Sequence, residues 1–211
     1  MDASAPNFRD QRRDRILQVA REVFFEVGYA GASMSTISSR LGGSKATLYA
    51  YFASKEDLFA AIVRDSCQEM AAVFEAHIGT DDLRQSLATV ARQMVSMIVS
   101  DWGTNIMQLV IEEGRRNPGL AKTFEAAIES NGRKAMRALL TTAHDRGQIE
   151  IPDVDEAAVI LKSLVFGDLQ FKRLLNLAPP PSEAQLHHHI DVAIDVFLTY
   201  FACKAEEAKP G

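Results

Sequence analysis

Residues 33–59 read SMSTISSRLGGSKATLYAYFASKEDLF, and this stretch decides the fold of the N-terminal part of the chain. Ser33, Ser44 and Ser54 each stand directly before a helical pattern, where a side-chain oxygen can accept a hydrogen bond from an unpaired amide of the first turn. The glycine pair 42–43 separates the first two patterns. We therefore predict two short helices, about 34–41 and 44–51, followed by the start of a long one.

Two short helices joined by a glycine-containing turn, behind a longer supporting helix, form the arrangement of a helix-turn-helix. The second helix of that motif enters a major groove about 12 Å wide, so its exposed side chains must be small, polar or aromatic hydroxyls. Residues 44–51, SKATLYAY, meet this demand, with Leu48 as the one strongly apolar side chain that faces inward. An ordinary amphipathic helix has the same spacing, so spacing alone leaves both interpretations open.

Helical periodicity continues on both sides of this motif. Between Asp10 and Val27 the apolar positions recur every three or four residues, which places them on one face, and Gly28 is typical of a helix end. Beyond Gly79 the helical patterns lengthen, and the alternation typical of strands is missing. Consecutive prolines make 178–182 a loop. The sequence predicts an all-α chain of about nine helices.

Charge is distributed unevenly along the chain. Its 211 residues carry 23 basic and 28 acidic side chains, a formal net charge of −5. Residues 1–55 hold eight basic and five acidic residues, a charge of +3, which leaves −8 for residues 56–211. A basic head on an acidic body indicates that only the head meets a polyanion. We predict a domain boundary between an N-terminal helix-turn-helix domain, 1–55, and a helical body, 56–211, which the family resemblance described below implies is a regulatory and dimerisation domain.

Composition excludes several protein classes. The chain is 47% hydrophobic and 24% charged, as is usual for globular proteins. No apolar run approaches the roughly 18 to 20 residues of a spanning helix, and the N-terminus lacks a secretory signal, so we expect a cytoplasmic protein without membrane contact. Cys67 and Cys203 form no CxxC pattern, which favours buried apolar residues over a redox sensor.

Motifs of catalysis and metal binding are missing as well. The sequence contains no nucleophile elbow, phosphate loop or HExxH, so we expect no enzyme and no cofactor. The consecutive histidines 187–189 point about 100° apart on a helix and cannot converge on one ion. We predict no metal site.

Residues 10–62 resemble the DNA-binding domain of the TetR family of transcriptional regulators. The resemblance rests on Ile16-Leu17, Ala20, Phe24, Gly28-Tyr29, Ser33–Ile37 and Ser44–Phe59. It implies an N-terminal three-helix DNA-binding domain, a larger helical regulatory domain, and a homodimer that binds a palindromic operator in double-stranded DNA. The stretch 111–124 is similar to the C-terminal domain of AefR-like repressors.

The resemblance also implies which residues contact DNA. The first turn of the recognition helix reaches base edges, its two tyrosines touch backbone or bases, and Lys55 contacts phosphate. Pure capping is an alternative for Ser33 and Ser44. Arg12 and Arg13 either reach flanking phosphate or the minor groove, or form a solvated basic terminus. The implied DNA-binding residues are Ser33, Thr36, Ser44, Lys45, Ala46, Thr47, Tyr49, Tyr51 and Lys55.

Two positions depart from the family's pattern. Gly43 stands where a small aliphatic residue is usual, so the turn loses a packing anchor. Ala50 stands where many members carry a larger polar or aromatic residue, so one contact is removed. Both departures bear on which operator is bound.

The body contains candidates for an effector pocket and a dimer interface. Adaptable thioethers and rings suit a pocket for apolar molecules, and we expect one somewhere among these residues, although core filling is the stronger interpretation for any single one. The pocket candidates are Phe74, Met94, Met97, Trp102, Met107, Phe124, Met136 and Phe166. Wide apolar stripes on the last two helices fit a four-helix dimer interface. The interface candidates are Leu161, Leu164, Val165, Leu169, Ile190, Ile194, Phe197 and Phe201.

Together these features predict a homodimeric repressor that a small apolar ligand releases from its operator. The ligand would favour a body conformation that moves the two recognition helices away from the spacing of about 34 to 36 Å that one DNA turn demands. Alternatives are a body controlled by a protein partner, activation in place of repression, and a helical enzyme or carrier that retains the head.

Overall fold

Residues 8–202 are described by the computed structural model; they form ten α-helices and contain no strand. A π-helical turn, Glu129–Arg133, joins two of these helices end to end, so nine helical rods are separated by loops or breaks. The predicted all-α class with about nine helices is confirmed. The helices are α1 (Phe8–Gly31), α2 (Met34–Leu41), α3 (Lys45–Tyr51), α4 (Lys55–Glu75), α5 (Leu83–Val99), α6 (Asp101–Gly114), α7 (Pro118–Ile128), α8 (Lys134–Asp145), α9 (Val154–Leu174) and α10 (Glu183–Tyr200).

The N-terminal helices begin at the predicted serines. The Ser33 hydroxyl accepts a hydrogen bond from the Thr36 amide at 3.0 Å, and the Ser44 hydroxyl accepts one from the Thr47 amide at 3.1 Å. Ser54 accepts in the same way from the fourth helix, at its Asp57 amide. Each cap satisfies one of the amides that a helix start leaves unpaired.

Gly28 interrupts α1 three residues before the helix ends. Its φ of 71° and ψ of 170° belong to a region that only glycine adopts readily. The break turns Tyr29 into the core, where 4% of its surface stays exposed. The predicted helix end at Gly28 is therefore a change of direction within α1.

Residues 8–66 together with 108–128 form one compact unit. Within it α2 packs on α1, and α3 packs on α2. Three aromatic rings form the centre of its core: Phe24, Tyr29 and Phe59, with centroids 5.5 to 6.2 Å apart. Burial of such rings in edge and offset contacts supplies much of the stability of a small helical unit.

Residues 67–107 and 129–202 form a second compact unit. Here α5, α9 and α10 pack against one another, and α8 packs on α9. The buried guanidinium of Arg173 donates to the Val99 carbonyl at 2.8 Å and to the Asp101 carboxylate at 2.7 Å. Arg173 therefore ties the C-terminal part of α9 to the junction of α5 and α6.

The helices α4 and α6 continue from one unit into the other along the chain, and α7 ends at the last residue of the first unit. The predicted boundary between residues 55 and 56 falls at the start of α4, and it stays a prediction. Within residues 8–202 no helix is both long enough and apolar enough to cross a membrane.

The Gly28→Ala variant tests the break in α1. A Cβ at this position meets no atom within 4 Å, so the substitution adds backbone strain without a steric clash. We expect a loss of about 1 to 3 kcal/mol in the free energy of unfolding, measured by urea denaturation. The matched control is Gly132→Ala, which also has open space but no left-handed backbone. Equal stabilities of the two variants would contradict the assignment of strain to Gly28.

Candidate nucleic-acid interface

The helices α2 and α3 begin with the same local arrangement. In each, a capping serine is followed three residues later by a threonine, and the two hydroxyls also bond to each other, at 2.8 Å for Ser33 with Thr36 and 3.0 Å for Ser44 with Thr47. Three of these side chains are exposed, and that of Thr47 is half-buried. The capping role of both serines is therefore present in the structure, and their contact with phosphate stays a prediction.

The turn between α2 and α3 is held by backbone and by one buried side chain. Gly42 adopts the left-handed conformation, with φ 70°, and its amide bonds to the Ser39 carbonyl at 3.3 Å. Ser38 is 3% exposed, and its hydroxyl donates to the Gly43 carbonyl at 3.0 Å. This hydrogen bond anchors the turn at the position where the sequence lacks an aliphatic side chain.

The helix α3 presents a polar face and hides a single apolar anchor. Leu48 is fully buried, whereas half of the Tyr49 surface is exposed. Lys45 is exposed and lies one turn before Tyr49 on the same helix face, with Ala46 and Ala50 exposed beside them. This face can carry a cation, a phenol and two small residues into a groove, which is the chemistry that base and phosphate contacts require.

Lys55 closes the motif by binding the end of α1. Its ammonium donates to the Tyr29 carbonyl at 2.7 Å and to the Ala32 carbonyl at 3.1 Å, and it lies 4.1 Å from the centre of the Tyr29 ring. Sequence reasoning did not find this role, because both carbonyls belong to a segment more than 20 residues away. The contact of Lys55 with phosphate stays a prediction.

The neighbouring Glu56 also binds Tyr29, and we call Lys55 and Glu56 with their bonds to the end of α1 the clasp. The Tyr29 hydroxyl donates to its carboxylate at 2.9 Å. Burial, aided by this hydrogen bond, raises the pKa of Tyr29 far above its ordinary value, so the phenol remains a donor. The pKa of Glu56 is lowered, first by a hydrogen bond from its own backbone amide and then by Tyr29, with Lys55 and Ser54 adding to the effect.

The arginines of α1 and α2 differ in what they bind. Arg13 makes two hydrogen bonds to the Asp65 carboxylate, at 2.9 and 3.1 Å. Arg40 pairs with Glu26 at 2.6 Å and lowers the pKa of that carboxyl. Arg12 lies within α1 with its guanidinium against Gly43. Arg13 is thus engaged inside the unit, whereas Arg12 lies beside the turn that leads into α3.

The predicted pocket residues fall into three environments. One group is buried in the core of the second unit, a second is partly buried against that core or lies half-buried on α6, and Phe124 is half-buried on α7 in the first unit. Their part in binding a ligand stays a prediction. The first group is Phe74, Met94 and Met136, and the second is Met97, Trp102, Met107 and Phe166.

Most of the predicted dimer stripe packs into the core of its own chain, which corrects the expectation that its six buried members face a partner, whereas for Leu164 and Leu169 that expectation stays a prediction. Six of its members have at most 5% of their surface exposed, and the two others are partly buried against the same core. Since buried side chains offer no area to a second subunit, the apolar stripe that periodicity reveals is the inward one. The six are Leu161, Val165, Ile190, Ile194, Phe197 and Phe201, and the two are Leu164 and Leu169.

The histidines 187–189 take separate directions. His187 and His188 are exposed, and His189 bonds through Nε2 to the Val165 carbonyl at 2.9 Å, beside the break of α9 at Gly167. Across the part of the chain that the structure describes, no three His, Cys, Asp or Glu side chains form a group that could hold a metal. Cys67 is half-buried, and burial raises its pKa, while Cys203 lies outside the described residues.

Two family models match this chain. Residues 16–62 match the model described as bacterial regulatory proteins, tetR family. Residues 85–203 match the model of the C-terminal domain of AefR-like transcriptional repressors. The first match contains α2, the turn and α3, and the second contains most of the second unit.

Individual proteins are similar over most of their length. The HTH-type transcriptional regulator UidR of Escherichia coli K12 is 31% identical over 82% of this chain and 87% of that protein. A crystal structure from Mesorhizobium loti, described as a TetR-family transcriptional regulator, has a TM-score of 0.81 at 22% identity and covers 93% of this chain and 99% of the other. The flavonoid-responsive regulator FrrA has a TM-score of 0.72 at 28% identity, covering 92% and 99%.

Acidification tests the clasp at the start of α4. The charged form of Glu56 is stabilised on folding, so between the ordinary glutamate pKa of about 4.3 and the lower folded value the unfolded chain binds more protons. Its contribution is complete above about pH 5 and is lost as the pH falls. We expect Glu56→Gln to reduce the free energy of unfolding at about pH 7, and we expect the gap from wild type to shrink toward about pH 3.5.

Urea denaturation at a series of pH values measures this gap. Glu22→Gln removes an exposed carboxylate of α1 outside the clasp and serves as the control. A gap that stays constant over the pH range would show that the Glu56 charge does not stabilise the fold.

Proposed function

Because the chain belongs to the TetR family of bacterial transcriptional regulators, we propose that it is a homodimeric repressor that binds a palindromic operator and leaves it when a small apolar ligand binds. The members of this family are transcriptional regulators and not enzymes. The observation that carries the proposal is the exposed face of α3, where Lys45 and Tyr49 stand one turn apart above the buried Leu48.

DNA reading is assigned to the N-terminal unit. In a helix-turn-helix the first turn of the recognition helix contacts base edges while the preceding helix lies across the phosphates. Lys45, Ala46 and Thr47 occupy that first turn here. Ser33 and Thr36 occupy the N-terminus of α2, where hydroxyls, amides and the helix dipole favour a phosphate. Since the partner is chromosomal DNA, the protein acts in the cytoplasm.

Dimerisation is assigned to the outer faces of α9 and α10. Val192, Val196 and Tyr200 recur every four residues along α10, and 50% to 72% of each surface is exposed in the single chain. Val159 and Phe171 on α9 are exposed to 57% and 59%. An uncovered apolar stripe on two neighbouring helices is suited to a self-complementary interface with a second copy.

Ligand control is assigned to the second unit. Met94, Met97 and Phe166 supply adaptable apolar surface there. Thr104 on α6 is 3% exposed, and its hydroxyl has no hydrogen-bond partner among residues 8–202. A buried hydroxyl without a partner costs about 1 to 3 kcal/mol, and an effector oxygen would remove that cost. FrrA, at 28% identity, is described as flavonoid-responsive, which supports a largely apolar aromatic effector that carries an oxygen for Thr104.

The variants Lys45→Ala and Tyr49→Ala test the reading of bases. We expect each to weaken binding to the selected operator by about 1 to 3 kcal/mol, roughly 5- to 150-fold, because a base contact is lost. Fluorescence anisotropy measures the affinity on operator fragments recovered by genome-wide identification of bound DNA. Lys134→Ala, an exposed lysine of α8, removes the same charge outside the N-terminal unit and should leave binding unchanged. Intact operator binding by the Lys45→Ala/Tyr49→Ala double variant would refute the proposal.

The Thr104→Val variant tests the polar anchor of the effector site. Loss of an unpartnered buried hydroxyl should leave the free energy of unfolding unchanged or raise it by up to about 1 kcal/mol. The same variant should bind an effector found by screening flavonoids about tenfold more weakly, as measured by calorimetry.

Ser86→Ala is the matched control. Ser86 is equally buried, at 3%, but its hydroxyl bonds to the Asp82 carbonyl at 2.9 Å and to the Thr80 hydroxyl. Its removal should destabilise the fold by about 1 kcal/mol or more. A comparable loss of stability in Thr104→Val would argue against an effector role for this hydroxyl.

A further inference from the structure

The guanidinium of Arg12 lies beside Gly43, where a side chain on that residue would begin. The backbone of Gly43 is not in the left-handed region, so the conformation there suits any residue. A Cβ on Gly43 would lie 3.0 Å from Nη2 of Arg12, which is closer than most Cβ contacts. The guanidinium therefore lies directly against the turn between α2 and α3.

Two hydrogen bonds between Ser38 and Gly43 also hold this turn. The buried Ser38 hydroxyl donates to the Gly43 carbonyl at 3.0 Å, and the Gly43 amide bonds to the Ser38 carbonyl at 3.4 Å. Ser44, the next residue, is the N-cap of α3. The Arg12 guanidinium thus lies beside a turn that hydrogen bonds hold. Gly43 in this turn is two residues before Lys45, the first residue of α3.

Arg12 and Arg13 differ in whether a carboxylate is paired with the guanidinium. The Arg13 guanidinium is paired with the Asp65 carboxylate through two hydrogen bonds. None of the described carboxylates forms an ion pair with Arg12, whose side chain is half-buried. A guanidinium that lies against the turn without an anionic partner retains N–H donors in a planar fork, the geometry that matches a phosphate.

We propose that Arg12 is a phosphate-binding residue of the DNA interface and that Gly43 is the seat that holds its guanidinium beside α3. This inference rests on the proposed function, since it takes α3 as the helix that enters the major groove. The flanks of a helix in that groove face the sugar-phosphate backbone, and contacts there set the register of the protein without reading sequence.

The Arg12→Ala variant of the full chain tests the contact. The probes are a duplex selected by the wild-type protein from a randomised 30-base-pair library and an unselected duplex of equal length. We expect about a tenfold loss of affinity on both duplexes at about 0.1 M salt, and a slope of log affinity against log salt that is smaller by about 1. Arg12→Lys should keep the slope and recover only part of the affinity, because the ammonium lacks the fork.

The seat is tested by Gly43→Ala. The new methyl group displaces the guanidinium by a few tenths of an ångström, so we expect a loss of about two- to threefold in the wild-type background. In the Arg12→Ala background the same substitution should change nothing, because no guanidinium is left to displace. Lys134→Ala controls for the loss of one positive charge, and urea denaturation of each variant confirms folding.

Three results would overturn the inference. Arg12→Ala could bind both duplexes as Lys134→Ala does, or lose affinity with an unchanged salt slope as a merely structural residue would. Gly43→Ala could cost the same with and without Arg12. In each case a loss of operator binding in Lys45→Ala would leave the proposed function standing. If the wild-type protein selects no sequence from the library, the proposed function fails and this inference fails with it.

Discussion

The ammonium of Lys55 is the contact on which the N-terminal unit depends. The helix α1 ends at Gly31, and this end leaves carbonyl groups at Tyr29 and Ala32 that a continuing helix would have paired. Lys55 satisfies both and lies over the Tyr29 ring. Because α2 and α3 lie between these two points of the chain, the clasp fixes both ends of the segment that carries the recognition helix.

Charge is used in two different ways within this unit. Lys55 and Arg13 direct their positive charge at partners within the fold: Lys55 binds backbone carbonyls, and Arg13 binds the Asp65 carboxylate. Lys45 keeps its side chain exposed on α3. The +3 of residues 1–55 therefore overstates the charge that is available to a polyanion, and the position of the uncommitted cations matters more than their number.

The second unit shows where apolar periodicity stops being informative. A stripe of Ile190, Ile194 and Phe197 has the spacing of a buried helix face, and the structure buries it in the chain's own core. The exposed stripe of Val192, Val196 and Tyr200 recurs every four residues, which is an equally helical spacing. Periodicity identifies a buried face without telling whether the chain itself or a second copy covers it. Removal of apolar surface from water is equally favourable in both cases.

The sequence by itself determined the features that depend on neighbours within one helical turn. The caps at Ser33 and Ser44, the glycine turn after α2 and the inward position of Leu48 all follow from contacts three to five residues apart, and such contacts can be read from residue types in order. The tertiary structure alone decided which partner each long side chain takes. Lys55 finds carbonyls 23 and 26 residues away, Arg13 finds a carboxylate 52 residues away, and Arg12 finds the open side of a glycine. The reason is physical: a lysine or arginine can reach many acceptors of similar energy, and only the packing of the helices settles which of them is near.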